Sequence, residues 1–239
     1  MPSDMDIKKR AVEFSTKKAN KKAIAAKYVD RFPTESEAVS VFMAGSPGAG
    51  KTESAKELIR QFESETLRID IDELRTEFSE YDGTNSYLFQ SAAICFVEAL
   101  HDRALKQGVS FVMDSTLSSF EIAKSNIERS LNKGRLVTII FVYQKPELAW
   151  EFVQAREKVE GRKVPAEVFI EQFIGSQETA NKLKLHFKEA IQLHVIVKNL
   201  DGSSRFTHFN VNSIDQYLDS KYDLASLNQV VSMPPEENN

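Results

Sequence analysis

The sequence predicts an α/β fold in three layers, a mostly parallel sheet flanked by helices on both faces. Three observations carry this. Short apolar runs rich in β-formers alternate with longer segments whose apolar residues recur at helical spacing. Strands separated by helices need crossover connections, and crossovers pair strands in parallel. Two of the helical segments run into glycines, Gly108 and Gly134, where a helix commonly stops.

The elements follow in chain order. Ile7, Val12, Phe14, Ile24, Ala25 and Tyr28 predict one or two short amphipathic helices within residues 1–30, and Phe32-Pro33-Thr34 breaks them off. Residues 39–44 read as the first strand, and 51–63 as a helix with Ala55, Leu58, Ile59 and Phe62 on one stripe. A second strand is expected at 67–71, with a short helix led by Asp72 over 73–78. One long helix is expected over 86–107, then a buried strand at 109–113, a helix at 119–132 and the most apolar strand at 136–143. Helices follow at 146–160 and 165–190, a strand at 193–197 and an edge strand at 206–211. The organisation expected is a helical extension (1–38), a main domain (39–225) and a flexible tail (226–239) that is polar and bears prolines.

Composition excludes several classes. The chain has 239 residues, 41% hydrophobic and 28% charged, ample for a core and unlike a disordered chain. Its net charge of −4 argues against nucleic acid as a partner, since phosphate-backbone binders carry a basic excess. Residues 1–30 are locally basic, with eight Lys or Arg against four Asp or Glu, but the charge forms no single block. The lone cysteine, Cys95, cannot form an internal disulfide, which makes a reducing compartment the expectation. No apolar leader opens the chain, and no apolar run is long enough to span a bilayer. A soluble cytoplasmic protein without membrane contact is expected.

The strongest motif follows the first strand. Gly45-Ser46-Pro47-Gly48-Ala49-Gly50-Lys51-Thr52 is G-x-x-x-x-G-K-[ST], with a strand before it and a helix after. The glycines permit conformations closed to other residues, so successive N–H groups can turn inward and cradle phosphate oxygens. The helix start adds free N–H groups and a positive dipole end. Lys51 is expected on the β- and γ-phosphates and the Thr52 hydroxyl on Mg²⁺, which makes the fold class a P-loop NTPase with a nucleoside triphosphate and Mg²⁺ as its ligands.

Ligands of open α/β sheets gather at the carboxyl ends of the strands. Two acidic segments stand there, Asp70-Ile71-Asp72 and Asp114-Ser115-Thr116. Asp114 resembles a Walker B carboxylate that holds Mg²⁺ directly or through water. Asp72 reads either as a helix cap or as a catalytic carboxylate; Asp70 alternates with it and points to the opposite side, so one of the two is expected to be structural. Thr116 reads as a turn residue or a substrate contact. Downstream, Arg156-Glu157-Lys158-Val159-Glu160-Gly161-Arg162-Lys163 puts two arginines around a glycine between helices. Arginines on such a segment can meet phosphate oxygens in pairs and stabilise the charge of a moving phosphoryl group.

Taken in order, FMAGSPGAGKT, IDIDELR, VEALHDRALKQG with VMDST, and REKVEGRKVP make the chain resemble the zeta-toxin family of P-loop kinases over roughly residues 39–200. The resemblance implies a kinase-type fold and transfer of the ATP γ-phosphoryl group to the 3′-hydroxyl of a UDP-amino sugar, UDP-N-acetylglucosamine. It further implies a toxin held by a small helical antitoxin. Carried over by residue, it implies nucleotide contacts at Lys51, Thr52, Arg156 and Arg162, a base at Asp72, and substrate contacts at Glu98, Thr116 and Asn126. Asp114 stands where well-known members carry Glu, and Asn126 where they carry a hydroxyl residue, so both bear on which sugar is taken. From its own surroundings Glu98 also reads as an exposed charge pairing with Arg103 or His101.

Two other readings use the same residues. A polynucleotide 5′-hydroxyl kinase shares the loop, base and lid but needs a basic groove. A nucleotide-dependent switch would need no acceptor.

Overall fold

The computed structural model describes residues 2–62, 64–160, 163–218 and 220–232. Six strands form one sheet in the order β2-β3-β1-β4-β5-β6: β1 (Val39–Ala44), β2 (Leu67–Asp70), β3 (Phe111–Asp114), β4 (Leu136–Tyr143), β5 (Gln192–Lys198) and β6 (Ser204–His208). The first five pair in parallel and β6 runs antiparallel to β5 at the edge. β1 and β4 are buried almost throughout, as expected of central parallel strands covered on both faces.

Alternation along the strands divides the core. Val41, Met43, Ile140 and Val142 face α3 (Lys51–Gln61), which covers them with Ala55, Leu58 and Ile59. Phe42, Phe111, Ile139, Phe141 and Leu193 belong to the larger core on the other face. There α5 (Gln90–Gln107), α6 (Phe120–Leu131) and α8 (Ala166–Phe187) supply Phe96, Ile127 and Phe169.

The N-terminal segment folds as α1 (Asp4–Thr16) and α2 (Lys18–Val29), both against α5. Ala11, Ile24, Ala25 and Val29 are buried in the larger core. Ion pairs join Arg10 to Glu80 at 2.6 Å and Lys27 to Glu77 at 2.7 Å. Partly exposed pairs of this kind contribute about 1 kcal/mol or less, whereas each buried Ile or Val contributes about 1.5–3 kcal/mol. Apolar burial therefore holds these helices down, and their lysines face outward.

Several boundaries differ from expectation. The second strand stops at Asp70, because that side chain caps α4 (Ile71–Arg75). The long helix begins at Gln90 after a 3₁₀ turn over Ser86–Leu88. α7 (Pro146–Glu160) matches its expected span, while α8 ends at Phe187 and a 3₁₀ turn follows over Lys188–Ala190. The chain from Ser226 was expected to fray. It continues instead as α9 (Leu224–Ser232), which buries Leu227 and Val230; residues 233–239 lie outside the described residues. Among the described residues, no helix is long and apolar enough to cross a membrane.

His101 sits within the larger core, with ring contacts to Phe111 at 5.0 Å and Phe42 at 6.1 Å. Burial, reinforced by Arg129 and Arg135, pushes its imidazole down to about 3. The unfolded chain then binds the proton more readily than the folded one, so this group lowers stability as pH falls from about 6.5 toward 3. Replacing it by a side chain that does not titrate removes that slope. In denaturant unfolding at pH 7.5 and 5.0, the stability gap between wild type and His101→Gln should shift toward the variant by about 2 kcal/mol at the lower pH. A gap independent of pH would contradict a neutral buried imidazole.

Candidate active site

The phosphate-loop motif lies where the sequence puts it, between β1 and α3. Gly45, Gly48 and Gly50 all have positive φ, at 134°, 76° and 83°. Two of them also face close backbone. A Cβ on Gly45 would lie 2.3 Å from the Val142 carbonyl oxygen, and one on Gly48 2.0 Å from that of Ala149. The loop is thus wedged against the end of β4 and the start of α7. Ala49 is buried in the α3-side core, and Ser46 is buried too. The Lys51 ammonium arches back over the loop and donates to the Ser46 carbonyl at 2.7 Å.

Thr52, in the first turn of α3, donates its hydroxyl proton to Asp114 Oδ2 at 2.7 Å. Asp114 ends β3, directly opposite Asp70 at the end of β2 in parallel register. Two carboxylates at neighbouring strand ends repel, and Arg68 answers both. Its guanidinium pairs with Asp70 Oδ2 and Glu73 and lies 3.5 Å from Asp114 Oδ2. The other Asp70 oxygen accepts the Asp72 N–H at 2.8 Å, which is the α4 cap. Burial, then the charges of Asp114 and Asp72, push the Asp70 carboxyl up to about 6.

The capping role considered for Asp72 therefore belongs to Asp70. Asp72 stands in the first turn of α4 with its carboxylate partly exposed. Arg75 holds its Oδ1, and Arg156 of α7 approaches its Oδ2 at 3.8 Å. Arg75 is only 4% exposed, and its other arm reaches Gln90 at the start of α5. The base candidate is thus fixed from beneath by a buried guanidinium and faced by an arginine from the expected lid. Arg162, the second lid arginine, lies outside the described residues.

The remaining expected contacts are spread more widely. Thr116 adjoins the loop: its carbonyl accepts the Gly45 N–H at 3.2 Å, and its hydroxyl lies 3.2 Å from that of Ser118. Glu98 is exposed on α5, and neither partner considered for it is engaged that way. Arg103 forms a two-armed pair with Asp30, and His101 is buried. Asn126 lies in the seam between α5 and α6, where Arg129 donates to it at 3.3 Å and His101 is beside it. Among the described residues, no hydrogen bond joins Glu98 or Asn126 to the loop or to the carboxylates at the strand ends.

Sequence reasoning missed Arg68, Arg75 and Gln90. Two of them had a readable signal. Arg68 is two residues from Asp70 in a strand, hence on the same face. Arg75 is three residues from Asp72 in a helix, hence a neighbour.

A parallel α/β sheet, a phosphate loop between β1 and α3 and carboxylates at adjacent strand ends define a P-loop kinase-like fold. Residues 24–212 match the zeta toxin family, and the chain belongs to that family. Solved structures agree on the fold. One is from work on the PezAT chromosomal toxin–antitoxin system of Streptococcus pneumoniae, with TM-score 0.64 and 16% identity over 90% of this chain and 93% of that one. Another is the complex of AvrRxo1-ORF1 and -ORF2 with ATP, with TM-score 0.61 and 15% identity over 92% of this chain and 75% of that one. No curated protein matches the chain by sequence.

The wedged loop yields a direct test. Gly48→Ala places a methyl group against the Ala149 carbonyl and strains a left-handed residue. The expected outcome is a loss of about 2 kcal/mol or more in stability, together with loss of the rise in Tm that ATP gives the wild type. An unchanged Tm with normal ATP response would show that the loop is not wedged in this way.

Proposed function

We propose that the protein is an ATP-dependent kinase that phosphorylates the 3′-hydroxyl of a UDP-amino sugar, with UDP-N-acetylglucosamine as the substrate the family resemblance implies. Its biological role would be that of a toxin restrained by a small helical antitoxin. The single observation that carries the kinase reading is the gathering of Lys51, the Thr52–Asp114 pair, Asp72 and Arg156 at one end of the sheet. The solved neighbour with ATP and the toxin–antitoxin neighbour support the nucleotide and the partner.

The roles follow from the chemistry of each group. The loop N–H groups and the first turn of α3 hold the phosphates, and Lys51 exchanges its Ser46 carbonyl for a β- or γ-phosphate oxygen. Thr52 and Asp114 offer a hydroxyl and a carboxylate oxygen 2.7 Å apart, a donor set that fits a hard cation which keeps waters and phosphate oxygens as its other ligands. They would hold Mg²⁺, which when bound offsets negative charge on the triphosphate. Asp72 accepts the proton of the acceptor hydroxyl as that oxygen bonds to the γ-phosphorus. The bond from the γ-phosphorus to the β,γ-bridging oxygen breaks, and ADP leaves with the electron pair. Arg156, drawn from Asp72 to the triphosphate, and Arg162 stabilise the charge in transit. Thr116, beside the loop, is the best-placed acceptor contact; Glu98 and Asn126 are proposed on the resemblance.

The test is incubation with ATP, Mg²⁺ and a panel of UDP-sugars, nucleosides and oligonucleotide ends, with products read by mass. A singly phosphorylated UDP-amino sugar is expected. A phosphorylated oligonucleotide end, or phosphate release with no phosphorylated acceptor, would overturn the reading. Lys51→Ala should lower transfer at least a hundredfold while the fold survives, because the ammonium reaches back over the loop to the Ser46 carbonyl rather than into the core. Unchanged kcat in that variant would remove the phosphate loop from the reaction.

A further inference from the structure

We propose that Lys198, at the carboxyl end of β5, is a second phosphate-contacting lysine of the nucleotide site, acting on the α- and β-phosphates. The inference rests on the nucleotide-binding reading above and adds a residue that no motif includes. A Cβ placed on Gly50, the residue that opens α3, would lie 3.2 Å from Lys198 Cε and 3.8 Å from its Nζ. The ammonium therefore stands at the last glycine of the phosphate loop, against the start of the helix.

The helix start makes this an unfavourable place for a cation, which the nearby Glu53 carboxylate only partly offsets. The helix start carries the positive end of its dipole and N–H groups without intrahelical acceptors. Burial pushes the ammonium below its usual range, with Glu53 of α3 opposing the shift. Among the described residues the Lys198 ammonium makes no hydrogen bond or ion pair, although Glu53 Oε2 lies 3.9 Å from the same Gly50 Cβ position. Its backbone is nonetheless held firmly. The buried Gln144, just past β4, donates to the Asn199 carbonyl at 2.8 Å and so ties the end of β5 to the neighbouring strand. A charge brought to such a position by a fixed strand end is suited to an anion that arrives later.

Sheet order says which part of the nucleotide it meets. The carboxylates Asp70 and Asp114 end β2 and β3, on one side of β1, and Lys198 ends β5, on the other. Transfer chemistry and the γ-phosphate belong to the acidic side. The far side of the loop is left for the phosphates nearer the nucleoside. Lys198 should therefore serve ADP and ATP alike, unlike Lys51.

The test compares wild type, Lys198→Met and Lys198→Arg in calorimetric titrations with ADP and with ATP, alongside melting without nucleotide. Lys198→Met should weaken ADP and ATP by a similar factor of about ten, the scale of one charge-assisted hydrogen bond, and Lys198→Arg should recover part of it. The nucleotide-free melting temperature of Lys198→Met should stay level or rise, because the variant removes a half-buried cation from a helix start. ADP bound as tightly by Lys198→Met as by wild type overturns this inference alone, and so does a fall in melting temperature with affinity unchanged. Wild type that binds neither nucleotide overturns the kinase reading and this inference with it.

Discussion

Parallel pairing of β2 and β3 sets Asp70 opposite Asp114, and two carboxylates at adjacent strand ends cannot both stand there ionised without a countercharge. Arg68 supplies positive charge to both. The Asp72 N–H also stabilises Asp70 by donating to it, and that one hydrogen bond starts α4. The crowding at the strand ends therefore does more than neutralise charge. It fixes where the strand stops, which residue caps the helix and where the next carboxylate is delivered. Asp72 emerges clear of the crowded pair, partly exposed, with Arg75 beneath it and Arg156 before it. The buried Asp70 carboxyl shapes the edge, and the partly exposed Asp72 carboxylate lies between Arg75 and Arg156.

The same logic runs through the loop. Thr52 meets Asp114, so the helix that carries Lys51 is hydrogen-bonded to the end of β3. The Gly45 N–H meets the Thr116 carbonyl, which ties the loop to the segment proposed to touch the acceptor. Gly45 and Gly48 let β4 and α7 approach so closely that no other residue fits. The α7 that presses on the loop also brings Arg156.

Much of this was legible in the sequence. The apolar runs at 39–44 and 136–143 give the strand ends without error, because central parallel strands need continuous burial. The positions of the loop and of the strand-end acids could be read because they depend on local spacing. The cap on α4 could not. Asp70 and Asp72 are equally good caps by type, and only the pairing of β2 with β3 decides between them. The sequence of α9 reads as a tail because its polar surroundings outweigh a short apolar stripe, and its partners on α7 and α8 are remote in sequence. Lys198 was invisible for the same reason. Nothing near it in the chain mentions the loop, which only the sheet order brings alongside.

The central claim is that Asp72 acts on the acceptor while Asp70 builds the edge, and Asp72→Asn tests it most directly. The amide keeps the size of the side chain and leaves the Asp70 cap untouched, since that bond uses the backbone N–H of residue 72. Nucleotide affinity, melting temperature and the kcat of phosphoryl transfer should be measured on one preparation. The account predicts nucleotide affinity close to wild type with transfer lowered about a hundredfold or more, the usual scale for a general base, and a melting temperature lowered only as far as the buried Arg75 loses its charged partner. Transfer near the wild-type rate would contradict it.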